Sequence, residues 1–150
     1  MRESQGALAL IRRPGRDGPE HLVQWNEKWG ALHLVGGHRR PEESFHDCLC
    51  RELTEELAVQ PGVDCRVAER PLAHLEYAAF SQSAGEETAY TMELFEVGLA
   101  PAVVAQVSGD PRNAWVGEAE VREGRCADGR PVSVTMRVLL TRAGLLTDEP

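Results

Sequence analysis

Positive charge is scarce in this sequence. The 150-residue chain has 16 Lys and Arg residues and 24 Asp and Glu residues, so its formal net charge is −8. Proteins that bind along a nucleic-acid backbone need clustered Lys and Arg side chains to neutralise the phosphates. The composition therefore argues against a protein that binds a nucleic-acid duplex.

Long apolar runs and paired cysteines are also missing. No apolar stretch is long enough to span a membrane, and the first residues do not form a signal peptide. The four cysteines, at positions 48, 50, 65 and 126, lack the spacing of a zinc site. We therefore expect a cytoplasmic protein with reduced cysteines and no membrane contact.

The sequence has no repeat, low-complexity segment or linker, and 150 residues can bury a core without disulfides. We therefore expect residues 1–150 to form a single domain. Apolar and turn patterns predict strands at 6–12, 21–25, 31–35, 71–80 and 89–99, with loops at 13–20 and 101–111. A turn of helix at 118–123 and a closing helix at 136–146 follow.

The segment from Gly36 to Val59 carries the strongest pattern in the chain. Apolar residues recur at every fourth position, which predicts a helix with one buried face. These residues are Phe45, Leu49, Leu53 and Leu57. Pro41 suits the first turn, where its missing N–H is not needed, so we expect the helix to begin near it. Glu42, Glu43 and Asp47 then lie near the positive end of the helix macrodipole.

Three glutamates converge near the other end of this helix. Glu52, Glu55 and Glu56 are three and four residues apart, a spacing at which each pair of like charges destabilises a helix by roughly 0.2–0.5 kcal/mol. The macrodipole also disfavours anions in the last turns, and only Arg51 offers a local counter-charge. The glutamates lie beside the apolar stripe, where a bound cation would explain them. Hard cations such as Mg²⁺ take oxygen ligands.

The segment resembles the signature of the Nudix hydrolases, G-x5-E-x7-R-E-U-x-E-E-x-G-U, in which U is a bulky aliphatic residue. The matching residues are Gly37, Glu43, Arg51, Glu52, Leu53, Glu55, Glu56 and Val59. The one departure is Ala58, which stands where the family has glycine. A non-glycine residue with positive φ costs roughly 1–2 kcal/mol. Alternatively, Ala58 stays right-handed and the chain turns later, at Pro61-Gly62.

The resemblance implies an α/β fold, the Nudix α/β/α sandwich, with a mixed β-sheet between helices and residues 114–116 as its last strand. It implies hydrolysis of a nucleoside diphosphate linked to another moiety, with Mg²⁺ or Mn²⁺ as cofactor. The implied metal ligands are Glu52, Glu55, Glu56 and the backbone carbonyl of Gly36. Divalent cations would also let a phosphorylated nucleotide approach an acidic protein. Many members of the family are dimers, so a homodimer is open.

Other site residues carry weaker signals. We expect Arg51 to orient the glutamates and Glu43 to contact a metal-bound water or hold the loop. Family members often have a further acidic residue ahead of the last strand, and Asp110 is the nearest candidate. Its competitors are Glu93, Glu96 and Glu118. The candidates for contacts with substrate are His38 and Arg39 beside the glycines, Trp29, and Tyr77. Packing and exposed loop charge are the ordinary explanations for these four.

A second function remains open at this point. A Nudix-fold module can bind a nucleotide and regulate without cleaving it. Such modules usually lose glutamates of the motif or its Arg, and this chain keeps them all, so the enzyme is favoured. The substrate, the proton acceptor and the number of metal ions are not determined by the sequence.

Overall fold

The computed structural model describes residues 1–81 and 83–146. Gln82, in the turn between two predicted strands, and residues 147–150, at the end of the predicted domain, lie outside the described residues. The strands are β1 (Arg2–Leu10), β2 (Arg12–Gly15), β3 (Gly18–Asn26), β4 (Ala31–Leu34), β5 (Gly36–His38), β6 (Cys65–Val67), β7 (Ala73–Ser81), β8 (Glu86–Leu99) and β9 (Asn113–Val116). The helices are α1 (Phe45–Leu57), α2 (Pro101–Ser108), α3 (Glu118–Glu123) and α4 (Val134–Arg142). None of these helices has the length and apolarity needed to cross a membrane.

The strands form two sheets. In the first, β5, β1 and β8 are neighbours, and β6 and β7 both pair with β8. Strands β1 and β8 run parallel while the other pairs are antiparallel, so this sheet is mixed. Its register places Ala7 opposite Gly37 on one side and Glu93 on the other. In the second sheet β3 pairs with β2, β4 and β9, all antiparallel.

Side chains of β1 alternate between two hydrophobic cores. Ala7 and Ala9 pack into the core that contains the buried residues of α1 and α2. Leu8 and Leu10 pack into the core that contains those of α3 and α4. Successive side chains of a strand point to opposite faces, so a sheet covered on both faces reads as a continuous apolar run. The predicted α/β/α sandwich is confirmed.

Helix α1 begins four residues after the predicted start, because Ser44 is its N-cap. The Ser44 hydroxyl accepts a hydrogen bond from the Asp47 backbone N–H at 3.0 Å. The prediction that Pro41 lies in the first turn is therefore wrong, and Glu43 precedes the helix. The helix ends at Ala58, which has φ 55° and ψ 37°. The alternative of a right-handed Ala58 is wrong as well.

Two predicted loops contain secondary structure. Residues 101–111 include helix α2, which has Pro101 at its start and Gly109 as its C-cap, and which buries Val103 and Val107 one turn apart. Residues 13–20 include the turn of a hairpin between β2 and β3, in which Pro14 stands opposite Pro19. Strand β2 pairs only with β3 in the described part of the chain, and an edge strand tolerates proline.

Candidate active site

Arg51 is the centre of a dense ionic array. Its guanidinium donates to both carboxylate oxygens of Glu43, at 2.6 and 2.9 Å, and to Glu52 at 3.0 Å and Glu55 at 3.1 Å. It also donates to the His38 backbone carbonyl at 3.0 Å. The hydrogen bonds to the three carboxylates, led by those to Glu43, raise the pKa of Arg51 above its ordinary value. Arg51 thus joins three glutamates of the motif, and its orienting role stays a prediction.

Glu43 holds the loop between β5 and α1. Besides its paired contact with Arg51, its carboxylate accepts the Arg40 backbone N–H at 2.9 Å. These hydrogen bonds lower the pKa of Glu43 to about 2, so the group is ionised at neutral pH. Arg39 also belongs to this loop: it donates to the Gln5 side chain at 2.9 Å and to the Glu43 backbone carbonyl at 2.6 Å. These contacts hold its guanidinium against β1 and the loop, and the predicted contact with substrate stays a prediction.

Glu52 packs directly against the second glycine of β5. A Cβ placed on Gly37 would lie 2.7 Å from the carboxylate carbon and from both carboxylate oxygens of Glu52. Only glycine therefore leaves this carboxylate where it is. Burial raises the pKa of Glu52, and the neighbouring charges of Glu55 and Glu56 act in the same direction, while Arg51 opposes them.

Gly36 is also fixed by the sheet. Its φ is 149°, and a Cβ would lie 2.1 Å from the backbone oxygen of Ala7. Hydrogen bonds join β1 to the β5 segment on either side of this residue, from Arg39 N to Gln5 O and from Ala9 N to Val35 O. Paired positions alternate in an antiparallel ladder, so the Gly36 carbonyl turns away from β1. The Gly36 carbonyl, a predicted metal ligand, is therefore not used by the hydrogen bonds between β1 and β5.

The other two predicted ligands differ from each other. The Glu55 side chain is 44% exposed and bound to Arg51. The Glu56 backbone carbonyl accepts hydrogen bonds from Gln24 at 2.9 Å and Arg112 at 3.3 Å, which fixes the end of α1. Among residues 1–81 and 83–146, no three Asp, Glu, His or Cys side chains are arranged as a finished metal site. The available donors are all oxygens, which fits Mg²⁺ or Mn²⁺, but binding requires carboxylates to turn from Arg51.

Asp110 lies at the C-terminal end of α1, not in the array around Arg51. Its carboxylate accepts from the backbone and guanidinium N–H groups of Arg112, both at 2.9 Å, and these bonds lower its pKa. The same guanidinium reaches the Glu56 carbonyl. Of the competing residues, Glu93 lies on the α1 face of the sheet, since it shares a register row with Ala7 and Gly37. Glu93 pairs there with His74 at 2.7 Å.

The other two competitors, Glu96 and Glu118, form ion pairs on the surface. Glu96 pairs with Arg12, and Glu118 pairs with Arg122 at 2.9 Å one helical turn away. Their side chains are 50% and 56% exposed, respectively. Neither residue is joined by a described contact to the array around Arg51.

A cleft of about 480 Å³ adjoins the ionic array on the other face of the sheet. Three of the four predicted substrate-contacting residues line it, namely Trp29, His38 and Tyr77. Gly37 lines it as well and touches Glu52, so this residue connects the cleft to the carboxylates. Ligand sites are typically clefts of this size, lined mostly by apolar and aromatic side chains.

Aromatic rings form much of the cleft. Tyr77 stacks on Tyr90 with ring centroids 5.2 Å apart, and burial raises the pKa of Tyr77 to about 12. The ring of Trp29 lies 4.4 Å from that of His33. His38 hydrogen-bonds through Nδ1 to the Ser4 hydroxyl at 2.9 Å. Sequence patterns did not reveal Tyr90, although its alternation with Met92 and Leu94 in a strand places all three on one face.

The chain matches one protein family and is similar to several solved structures. The NUDIX domain model matches residues 1–133. No curated protein matches the sequence. The similar structures include a C. elegans Ap4A hydrolase, with a TM-score of 0.62, 19% identity and 96% of each chain covered. A mutT/nudix family protein from Listeria innocua has a TM-score of 0.63 and 14% identity, with 96% of this chain and 93% of that chain covered.

A further similar structure is Shewanella oneidensis NrtR complexed with a 27mer DNA, with a TM-score of 0.64 and 16% identity. There the alignment covers 93% of this chain but 59% of NrtR. At these identities, likeness to a structure shows the fold alone. The family model matches residues 1–133 of 150, and the chain therefore belongs to the Nudix family.

Proposed function

We propose that the protein is a divalent-cation-dependent hydrolase that cleaves a pyrophosphate bond in a nucleoside diphosphate linked to another moiety. One observation carries the proposal: Gly37 contacts the Glu52 carboxylate and also lines the aromatic cleft. A nucleoside in the cleft would thus have its phosphates beside β5 and within reach of the glutamates. Residues 1–150 act in this proposal as one Nudix hydrolase domain.

The residues have separate tasks in this proposal. Glu52, Glu55, Glu56 and the Gly36 carbonyl would hold Mg²⁺ or Mn²⁺. When bound, the cation neutralises phosphate charge and lowers the pKa of a coordinated water. Arg51 positions the glutamates, and Glu43 fixes the loop that carries Arg39 and Arg40. Glu52 and Asp110 are the two candidates for the carboxylate that takes the proton of the attacking water.

The test is phosphate release from a panel of dNTPs, ADP-ribose, nucleotide sugars and dinucleoside polyphosphates. Activity should vanish with a chelator and return with Mg²⁺ or Mn²⁺. Glu52→Gln should abolish turnover, whereas Asp110→Asn should lower kcat with little change in KM if Asp110 acts in the chemical step. Turnover that survives exhaustive chelation would overturn the proposal. Wild-type rates in Asp110→Asn would leave the proton to Glu52 or to Glu93.

The second candidate is a Nudix-fold module that binds a nucleotide and regulates without cleaving it. The complete set of Glu43, Arg51, Glu52, Glu55 and Glu56 argues for the enzyme instead. The same panel separates the two functions. A regulatory module binds the metal–nucleotide complex in calorimetry and releases no phosphate under any of the conditions.

A further inference from the structure

A buried histidine of the cleft has no task in the proposed hydrolysis. His33 lies in β4, is 5% exposed and lines the cleft. Its Nδ1 lies 2.7 Å from the hydroxyl of Ser133, which is 100 residues away in the sequence. Backbone hydrogen bonds from Leu32 N to Pro131 O and from Ser133 N to Leu32 O hold the two segments together. The position of the imidazole is therefore fixed before any ligand arrives.

The Ser133 hydroxyl determines which ring nitrogen carries the proton. Ser133 is the N-cap of α4, and its oxygen accepts the Met136 backbone N–H at 3.0 Å. Its own proton needs an acceptor, since Ser133 is buried, and the adjacent acceptor is Nδ1 of His33. Burial lowers the pKa of His33 to about 3, so the ring is neutral at physiological pH. A neutral ring that accepts at Nδ1 carries its hydrogen on Nε2.

The Nε2 edge is the part of His33 left for a ligand. No described residue forms a hydrogen bond with Nε2 of His33. This atom is also not fully buried, so a ligand can reach it. The Trp29 ring lies 4.4 Å from the imidazole, tilted by 57°. The cleft therefore offers a planar ligand aromatic surface together with one directed N–H donor.

We propose that His33 reads the base of the substrate: its Nε2–H donates a hydrogen bond to a carbonyl oxygen or an unprotonated ring nitrogen of a nucleobase in the cleft. The inference rests on the proposed function in one respect, that the cleft receives the nucleoside part of the substrate. An exocyclic amino group at the same place is itself a donor, so it cannot accept the hydrogen bond from His33. Binding of a base in that orientation is disfavoured. His33 thus selects among bases without taking part in bond cleavage.

The first experiment measures the tautomer. Long-range ¹H–¹⁵N spectra of the wild-type protein distinguish Nδ1–H from Nε2–H imidazoles, and the signal of His33 is identified by its absence in His33→Phe or, if that variant does not fold, in His33→Gln. We expect the Nε2–H form. A ring protonated on Nδ1 would offer the cleft an acceptor and would overturn the proposal.

The second experiment measures binding of uncharged nucleosides by NMR titration, without metal. Inosine and uridine carry a carbonyl oxygen where adenosine and cytidine carry an amino group, and the adjacent ring nitrogen gains a hydrogen, so each pair reverses the donor and acceptor pattern of one base edge. We expect wild-type protein to discriminate within at least one pair by about five- to tenfold in Kd, the range of one hydrogen bond. His33→Phe should remove that discrimination, because phenylalanine keeps a planar ring and lacks the donor.

Two variants complete the design. His21→Phe is the matched control, since His21 is a buried strand histidine that does not line the cleft, and it should keep the discrimination. Ser133→Gly removes the hydroxyl while glycine remains a tolerated N-cap residue, and it should weaken the discrimination. Discrimination unchanged in His33→Phe, or no nucleoside binding at all, overturns the proposal. Neither result depends on hydrolysis, which the phosphate-release panel tests separately.

Discussion

Replacing Ala58 by glycine should stabilise the protein, although it removes a methyl group. Ala58 is exposed and is the only non-glycine residue with positive φ in residues 1–81 and 83–146. A left-handed conformation costs an L-residue roughly 1–2 kcal/mol, because Cβ approaches the following carbonyl oxygen. Glycine has more conformational freedom in the unfolded chain, which offsets about 0.4–1 kcal/mol of that gain. With the middle of each range, the net stabilisation is about 0.8 kcal/mol.

The assay is thermal unfolding of the metal-free protein. For a chain of this length the expected gain corresponds to a rise in Tm of about 1–4 °C. Ala143→Gly is the matched control, because Ala143 is the C-cap of α4 and has a right-handed φ of −78°. That variant should lower Tm, since glycine there gains no relief of strain. If both variants shift Tm in the same direction, the strain assigned to Ala58 is refuted.

Three further predictions concern the site and the core. Without metal, Glu56→Gln should be as stable as wild type or more stable by some tenths of a kcal/mol, because it removes charge repulsion; with Mg²⁺, melts should show the reverse order. Arg51→Lys should destabilise the protein by about 1–3 kcal/mol in urea unfolding, since an ammonium cannot replace the paired contact with Glu43. Burial and Arg12 lower the pKa of His21 from 6.5 to about 4, so neutral His21 contributes stability above pH 6.5 that is lost as pH falls toward 4. Urea unfolding at pH 7 and pH 5 should therefore show a smaller difference in His21→Phe than in wild type.

The sequence predicted those elements of the fold whose signal lies within a short run of neighbouring residues. The repeat of Phe45, Leu49, Leu53 and Leu57 predicted α1, and the glutamates beside it marked the site. Helix α2 was missed because its eight residues carry a single buried pair, Val103 and Val107, in a segment bounded by proline and glycine. Strand β6, of three residues, gave no periodic signal.

The residues of the candidate site could be predicted from the sequence only where they lie together in one segment. The family pattern selected both Arg51 and Glu43, which are eight residues apart, but it did not predict the hydrogen bond between them. The contact between His33 and Ser133 joins segments 100 residues apart, and no local pattern reports it. The left-handed Ala58 is a tertiary effect: Val59, directly after it, is buried in the core with Leu57, and the chain must turn at that point.

Under the proposed function, the position of Arg51 makes cation binding an exchange rather than an addition. One guanidinium is the shared counter-ion of Glu43, Glu52 and Glu55. Under the proposed function, an incoming cation must recruit carboxylates that this internal counter-ion already holds. The net free energy of binding is then the difference between the attraction of the carboxylates for the incoming cation and their attraction for Arg51. A monovalent ion carries less charge and competes poorly for the same oxygens. Under the proposed function, the protein would therefore select cations of high charge density before any substrate is present.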